Sequence, residues 1–258
     1  MRLDKELVLR GYFETRSKAV QAILDGIIYC DGKKISKPSY KINDEMIELR
    51  GIPLNYVSRA GLKLEKAASF FEIAFDNKVM VDVGSSTGGF VDYAIQNGIK
   101  KVYAIDVGRD QLSDKLRSNE KIELFEQTDI REIESDKIFN AELVTVDVSF
   151  ISVTKFSNVI TNLPNVSEIV CLIKPQFECG KEIADRFKGI ILDRETHEKV
   201  IEKLISNFLE YDFNCQGVIY SPIKGGSGNI EYLAYFKKKP LVNEINIKEV
   251  VDSAFAVL

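Results

Sequence analysis

Apolar positions along this chain recur with two periods, 3.6 and 2, and the switch between them divides it. In residues 15–25, Ala19, Val20, Ile23 and Leu24 form a stripe at helical spacing, and residues 4–10 read as a shorter helix before it. Gly11 separates the two, Gly26 ends the second, and Thr15 or Ser17 stands where its cap belongs. The short runs Ile27–Cys30 and Lys33–Ile35 flank Asp31-Gly32, a pair that predicts a hairpin, and Met46–Leu49 predicts a further strand. Residues 1–50 therefore form a small α+β head. Arg50-Gly51-Ile52-Pro53 breaks the pattern and marks a boundary, with 51–58 as a linker.

Beyond a helix over 62–74, strands and helices alternate. Strands are predicted at 78–83, 101–106, 143–147, 169–173, 215–221 and 232–236, with a short one over 124–128. Helices fall at about 89–97, 111–118, 154–162 and 194–210. Such alternation builds an α/β, Rossmann-like, mainly parallel sheet across the body, residues 59–239. The last two strands are joined by a Gly-rich connection, so they should pair antiparallel at one edge. In the tail, 240–258, Ile247, Val250, Val251, Ala254 and Phe255 predict a short amphipathic helix packed on the body.

The chain has 258 residues, 45% of them hydrophobic, enough to bury a substantial core. Met1–Glu6 carries no apolar signal region and no run reaches bilayer length, so a cytoplasmic location without a membrane partner is expected. Cys30, Cys171, Cys179 and Cys215 show no CxxC spacing, and His197 is the single histidine. Reduced thiols and no metal are expected. The net charge of −4 is uneven: residues 1–66 hold 13 Lys and Arg against 9 Asp and Glu, the remainder 22 against 30. A basic head on an acidic body fits an electrostatic docking module.

The sharpest local feature is Asp82-Val83-Gly84-Ser85-Ser86-Thr87-Gly88-Gly89-Phe90, which closes a strand and opens a helix. A dinucleotide fingerprint would read GxGxxG; here Ser85-Ser86 replaces the second glycine, so close approach of a pyrophosphate is not provided for. A ligand with an amino-acid end, a ribose and an adenine fits better, and S-adenosylmethionine (SAM) is such a ligand. Asp106-Val107, after the second strand, is placed to accept ribose hydroxyls. Asp129-Ile130 is placed to meet the adenine. Two more strand ends share that edge, Asp147 in Val146–Phe150 and Lys174 in Leu172–Gln176. Both should face the reactive end of the cofactor.

Several ordered motifs resemble those of the TlyA-type, FtsJ-like RNA methyltransferases: Arg59–Leu64, the Asp82–Phe90 loop, Val146–Ser152, Ile173–Glu178, and Ser221-Pro222-Ile223 with Gly228-Asn229-Ile230-Glu231. The resemblance implies SAM-dependent methylation of ribose 2′-hydroxyls, of cytidines in 16S or 23S ribosomal RNA. It carries a Lys-Asp-Lys-Glu tetrad onto Lys63, Asp147, Lys174 and Glu231, and adds Asp147 to the cofactor contacts. A 2′-hydroxyl is a poor nucleophile and needs a base. Lys174 is the candidate, provided its amine gives up a proton. Desolvation and Lys63 favour that, whereas Asp147 and Glu231 oppose it. Two positions depart from the family pattern: Leu192 stands where arginine is usual, and Asp129 where asparagine is common.

The head resembles the S4-like RNA-binding domain through Arg2-Leu3-Asp4, Gly11, Thr15–Ala19, Ile23, Gly26 and Asp31-Gly32-Lys33. That implies RNA or ribosomal subunits as partner, with Arg2, Arg16, Lys18, Lys33 and Lys34 on phosphates. Rival readings are weaker. A nicotinamide reductase lacks its fingerprint. A base N-methyltransferase would tend to carry prolines after Asp147, where the chain has Val148-Ser149-Phe150. A non-catalytic RNA-binding protein would not need the tetrad. Relatives of this type often carry a haemolysin label that this sequence does not itself support.

Overall fold

The computed structural model describes residues 1–13, 15–24, 26–50, 55–240 and 244–258, and within them the side chains of all but Ser17 and Gln21. The chain forms two compact units, Met1–Asn55 and Tyr56–Leu258. The expected break at 51–53 lies outside the described residues. Of the expected linker 51–58, Tyr56 is buried in the larger unit and the Val57 amide donates to Asp92, so both belong to that body.

In the smaller unit, helices α1 (Leu3–Leu9) and α2 (Arg16–Leu24) pack on an antiparallel sheet of β1 (Ile28–Cys30), β2 (Lys33–Lys34) and β3 (Ile47–Leu49), in the order β2-β1-β3. Thr15 is the cap of α2: its hydroxyl accepts from the Lys18 amide at 3.3 Å. Asp31 and Gly32 both take positive φ, 47° and 75°, as the tight hairpin turn requires. Leu3, Leu7, Ala19, Ile23 and Ile28 are fully buried between the layers.

Asp4 is fully buried too, and it takes two of the arginines expected on phosphates. Arg2 donates to both its oxygens at 3.0 Å, and Arg16 reaches it at 2.8 Å through Nε. Both guanidiniums hold the Asp4 carboxyl below its ordinary range. Arg2 and Arg16 are thus structural cations first, although both side chains remain exposed.

The larger unit is a seven-stranded sheet. Its elements in chain order are α3 (Ala60–Phe71), β4 (Val79–Val83), α4 (Gly89–Gln96), β5 (Lys101–Ile105), α5 (Asp114–Arg117), β6 (Ile122–Phe125), β7 (Leu143–Val146), α6 (Ser157–Thr161), β8 (Glu168–Ile173), α7 (Pro175–Glu178), α8 (Lys181–Arg186), α9 (Arg194–Leu209), β9 (Asn214–Tyr220), β10 (Tyr232–Lys237) and α10 (Ile247–Val257). The strand order is β6-β5-β4-β7-β8-β10-β9. β6 through β8 run parallel, and β10 is antiparallel to both neighbours. All five residues of β4 are buried, as a strand covered on both faces must be. Val79, Val81 and Val83 join one core, with Ile201, Leu204 and Phe208 of α9. Met80 joins the other, with Leu64 of α3 and Val91 of α4. Asp82 therefore points to the α3–α4 face.

Three local expectations are corrected. The third strand ends at Phe125 rather than 128, so Asp129 belongs to the loop beyond it. The expected helix 154–162 breaks at Phe156, with φ −140°, into a 3₁₀ turn over 153–155 and the short α6. The helix expected over 111–118 shrinks to the four residues of α5. In the tail, α10 buries Val251 and Ala254 and sets Phe255 edge-on to His197, ring centroids 5.0 Å apart. Among the described residues no helix is long and apolar enough to cross a membrane.

The buried Asp4 cluster makes a direct test. Asp4→Ala should destabilise the head by roughly 1–3 kcal/mol, because two arginines lose their common acceptor. The native contribution is present above the unfolded carboxylate pKa and is lost as pH falls through the depressed native value. Acid and thermal melts of wild type and variant check both the size and the sign.

Candidate functional site

Strands β4, β5, β7 and β8 finish at one edge of the sheet, and the site assembles there because the candidate residues sit at or just past these ends. Gly84 follows β4, Asp106 follows β5, Asp147 follows β7 and Lys174 follows β8. β10 runs the other way, so the residue before it returns to the same edge. One step beyond the pair Tyr232–Ile173, the register sets Glu231 opposite Lys174. Lys63 reaches the edge from α3.

The four residues form two ion pairs. Lys63 Nζ lies 2.6 Å from Glu231 Oε2, with both side chains nearly enclosed, 10% and 3% exposed. Lys174 Nζ lies 2.6 Å from Asp147 Oδ1 and donates to Ser149 Oγ at 3.0 Å. The structure thus gives each lysine its own carboxylate instead of setting two bare cations together. Ser149 was not singled out from the sequence, although it lies within the Asp147 motif.

Two cavities open along this edge and share Gly84, Ser86, Asp147 and Ser149 in their walls. The larger, about 350 Å³, has apolar walls from Ile105, Val107, Ile130 and Phe156, with Asp106 and Asp129 at the polar side. The smaller, about 220 Å³, is lined by Asp82, Ser85, Thr87, Phe90 and Lys174. An elongated ligand with a flat apolar end and a charged polar end matches this pair. A wider depression of about 660 Å³ near Tyr211 and Lys239 lies at the opposite end of the strands and holds none of the candidate residues.

The glycines divide by task. Gly84 has φ 83°, and a Cβ there would lie 2.5 Å from the Asp147 carbonyl oxygen, so only glycine lets β4 and β7 close at this point. Gly88 and Gly89, expected as ligand contacts, serve packing. A Cβ on Gly88 would meet Leu116 at 2.4 Å, and one on Gly89 would meet Ala60 at 2.7 Å. Gly89 still lines the smaller cavity, whereas Gly88 lines neither.

The carboxylates divide too. Asp106 Oδ2 accepts from the Ser86 amide at 2.8 Å and Oδ1 from the Gly108 amide at 2.7 Å, so it fastens the loop before it meets any ligand. Asp129 gives both oxygens to Arg131, which holds its carboxyl below the ordinary range. Asp82 differs: Oδ1 accepts from Thr145 Oγ1 at 2.6 Å, while Oδ2 is buried with no partner among the described residues. Burial pushes this carboxyl up to about 7, against the Thr145 hydrogen bond and with a further push from Asp147 and Asp106. Ser85 Oγ is likewise buried and unpartnered. Two orphan polar atoms, a carboxyl oxygen and a hydroxyl, thus share one cavity wall.

Phe150 stands at the rim of the larger cavity, 90% exposed, with φ 66° and its ring 4.9 Å from that of Phe177. A left-handed, solvent-exposed phenylalanine is a costly arrangement of the kind that gathers at functional sites. Its place in an ordered motif was the only sequence signal. Asn229 accepts from the Ile191 amide and donates to the Gly189 carbonyl, tying loop 188–192 beside Glu231. Leu192, the departure from the family pattern, is 71% exposed on that loop. On the head, Lys18, Lys33 and Lys34 are exposed.

The sign of the Asp82 effect is testable. Its carboxyl is raised in the folded state, so the stability it contributes is present below 3.8 and is lost as pH rises through about 7. Asp82→Asn keeps an acceptor for Thr145 and removes the charge. Its melting temperature should therefore fall less than that of wild type between pH 4 and about 7. Equal slopes in the two proteins would show that Asp82 carries no such burden.

The FtsJ-like methyltransferase family matches residues 56–238, and the S4 domain matches residues 1–47. Hemolysin A of Brachyspira hyodysenteriae is 45% identical over 241 residues, covering 92% of this chain and 99% of that protein. The 23S rRNA (cytidine-2′-O)-methyltransferase TlyA of Campylobacter jejuni is 38% identical over 246 residues, covering 87% and 94%. A solved structure from Streptococcus thermophilus, described as a candidate hemolysin, superposes with a TM-score of 0.76 at 38% identity, over 99% of this chain and 96% of that one. Matched over 56–238 and 1–47, the chain belongs to the FtsJ-like methyltransferase family and carries an S4 domain at its head.

Proposed function

We propose that the protein transfers the methyl group of SAM to the 2′-hydroxyl of a cytidine ribose in ribosomal RNA. The observation that carries this reading is the juxtaposition of the Lys174–Asp147 pair with the cavity holding the unpartnered Asp82 oxygen. That cavity suits the amino-acid end of SAM, with Asp82 receiving the ammonium and Ser85 the carboxylate. The apolar cavity beside it suits the adenosine, with Asp106 at the ribose and Ile130 on the base. When bound, SAM supplies an electrophilic methyl group on a sulfonium whose positive charge is lost on transfer.

The chain's own residues do the rest. Lys63 and Glu231, locked together, orient the incoming ribose. Lys174 takes the hydroxyl proton once its ammonium has given one up, while Asp147 holds Lys174 in line, so that oxygen and methyl meet in a near-attack geometry. The 2.6 Å contact between Lys174 and Asp147 favours one alternative, in which Asp147 accepts the proton and Lys174 acts as a cationic clamp. The head docks structured RNA through Lys18, Lys33 and Lys34. A haemolytic activity has no support in the site.

Lys174→Ala should abolish transfer while SAM affinity changes little, because the amine acts in the transition state. Lys174→Arg should be equally inactive if Lys174 is the base, since a guanidinium does not give up its proton. Single-turnover transfer of labelled methyl to unmodified ribosomal RNA, followed by ribose analysis of the digest, decides. Substantial Lys174→Arg activity moves the base to Asp147.

For docking, charge reversal at Lys33 and Lys34 should weaken RNA binding and flatten its salt dependence without changing SAM affinity. Arg16 is unsuitable for this test, because its reversal would oppose the buried Asp4. Unchanged salt dependence in the double reversal would remove the head's hairpin from the RNA contact.

A further inference from the structure

The edge that carries the site holds a cation with no carboxylate of its own. Lys66 lies on α3, one turn beyond Lys63, and its Nζ sits 3.8 Å from the centre of the Tyr220 ring. Tyr220 ends β9 opposite Tyr232, the neighbour of Glu231. Lys63 and Lys174 each have a carboxylate at 2.6 Å, whereas no acidic group lies within 4 Å of the Lys66 ammonium among the described residues. Lys66 is half-buried, and desolvation pushes its ammonium below the ordinary lysine value. A tyrosine face fixes an ammonium in place without neutralising it, so its N–H donors and most of its charge stay available. Arg59, exposed and also without a carboxylate partner among the described residues, shares the face of α3 at the spacing 59, 63, 66.

We infer that Lys66, seated on Tyr220, is a phosphate subsite that receives the RNA backbone beside the target ribose, with Arg59 extending it along α3. The inference rests on the reading that RNA is the substrate. A phosphodiester is the ligand whose charge offsets the unpaired, half-buried ammonium, and it is the group that flanks every 2′-hydroxyl. Lys63, between the two free cations, is held by Glu231 and left to the ribose. Lys66 lines neither cavity of the edge, so it is separated from the cofactor. It is a positioning residue: the contact sets where the ribose lies relative to Lys174.

The test uses the full chain and in vitro transcribed, unmodified 16S and 23S ribosomal RNA. Lys66→Met keeps the apolar stem and removes the charge. It should raise KM for RNA several-fold, lower kcat less, and reduce the slope of log binding constant against log salt by about 0.7. SAM affinity by calorimetry should stay at the wild-type value. Lys66→Arg should restore most of the KM and the slope, and Tyr220→Leu should reproduce part of the loss by releasing the ammonium. A Lys66→Met protein with wild-type slope and KM overturns the inference, as does one that loses SAM affinity, which would make Lys66 a cofactor or folding residue. Failure of the wild type itself to methylate either RNA would overturn the proposed function instead.

Discussion

The buried pair of Lys63 and Glu231 is the contact on which the arrangement of the site depends. It joins the first helix of the larger unit to the entrance of its last strand, 168 residues later. Neither partner is stable there alone: an isolated charge in such an enclosure costs several kcal/mol, and a paired one roughly breaks even. The pair therefore adds little net stability, yet it leaves few positions at which α3 and β10 can meet. Its geometry requires that β10 run against the parallel strands. Were β10 parallel, Glu231 would lie at the opposite edge, far from Asp147 and Lys174.

The same edge shows how one feature serves two ends. Gly84 lets β4 and β7 approach until no Cβ fits between them, and that approach aims Asp82 and Asp147 into adjoining walls. Asp106 ties down the Ser86 amide, so the loop that lines both cavities is shaped before any ligand arrives. Polar groups satisfied in this way are scaffolding. Asp82 Oδ2 and Ser85 Oγ, buried without partners among the described residues, are the groups that fasten nothing.

Charge is divided by the same logic. Arg2 and Arg16 neutralise a buried aspartate in the head, Arg131 neutralises Asp129, and Lys63 and Lys174 neutralise the carboxylates of the site. Arg10, Arg50, Lys101 and Arg117 are paired as well, whereas Lys66 has no carboxylate within 4 Å among the described residues.

Periodicity along the chain was enough to read the two units, the strand–helix alternation and the edge at which the candidate residues gather. Residues at strand ends, such as Asp106, Asp147 and Lys174, were legible because a parallel sheet brings all its carboxyl ends together. The antiparallel return of β10 was legible from the short Gly-rich connection before it. Partnership, by contrast, was not legible. That Lys63 belongs to Glu231, that Gly88 and Gly89 answer to Leu116 and Ala60, and that Lys66 rests on Tyr220 are contacts between residues distant in the chain. Local pattern carries no record of such contacts. It fixes which face a side chain takes, whereas the partner it finds there depends on how whole elements pack.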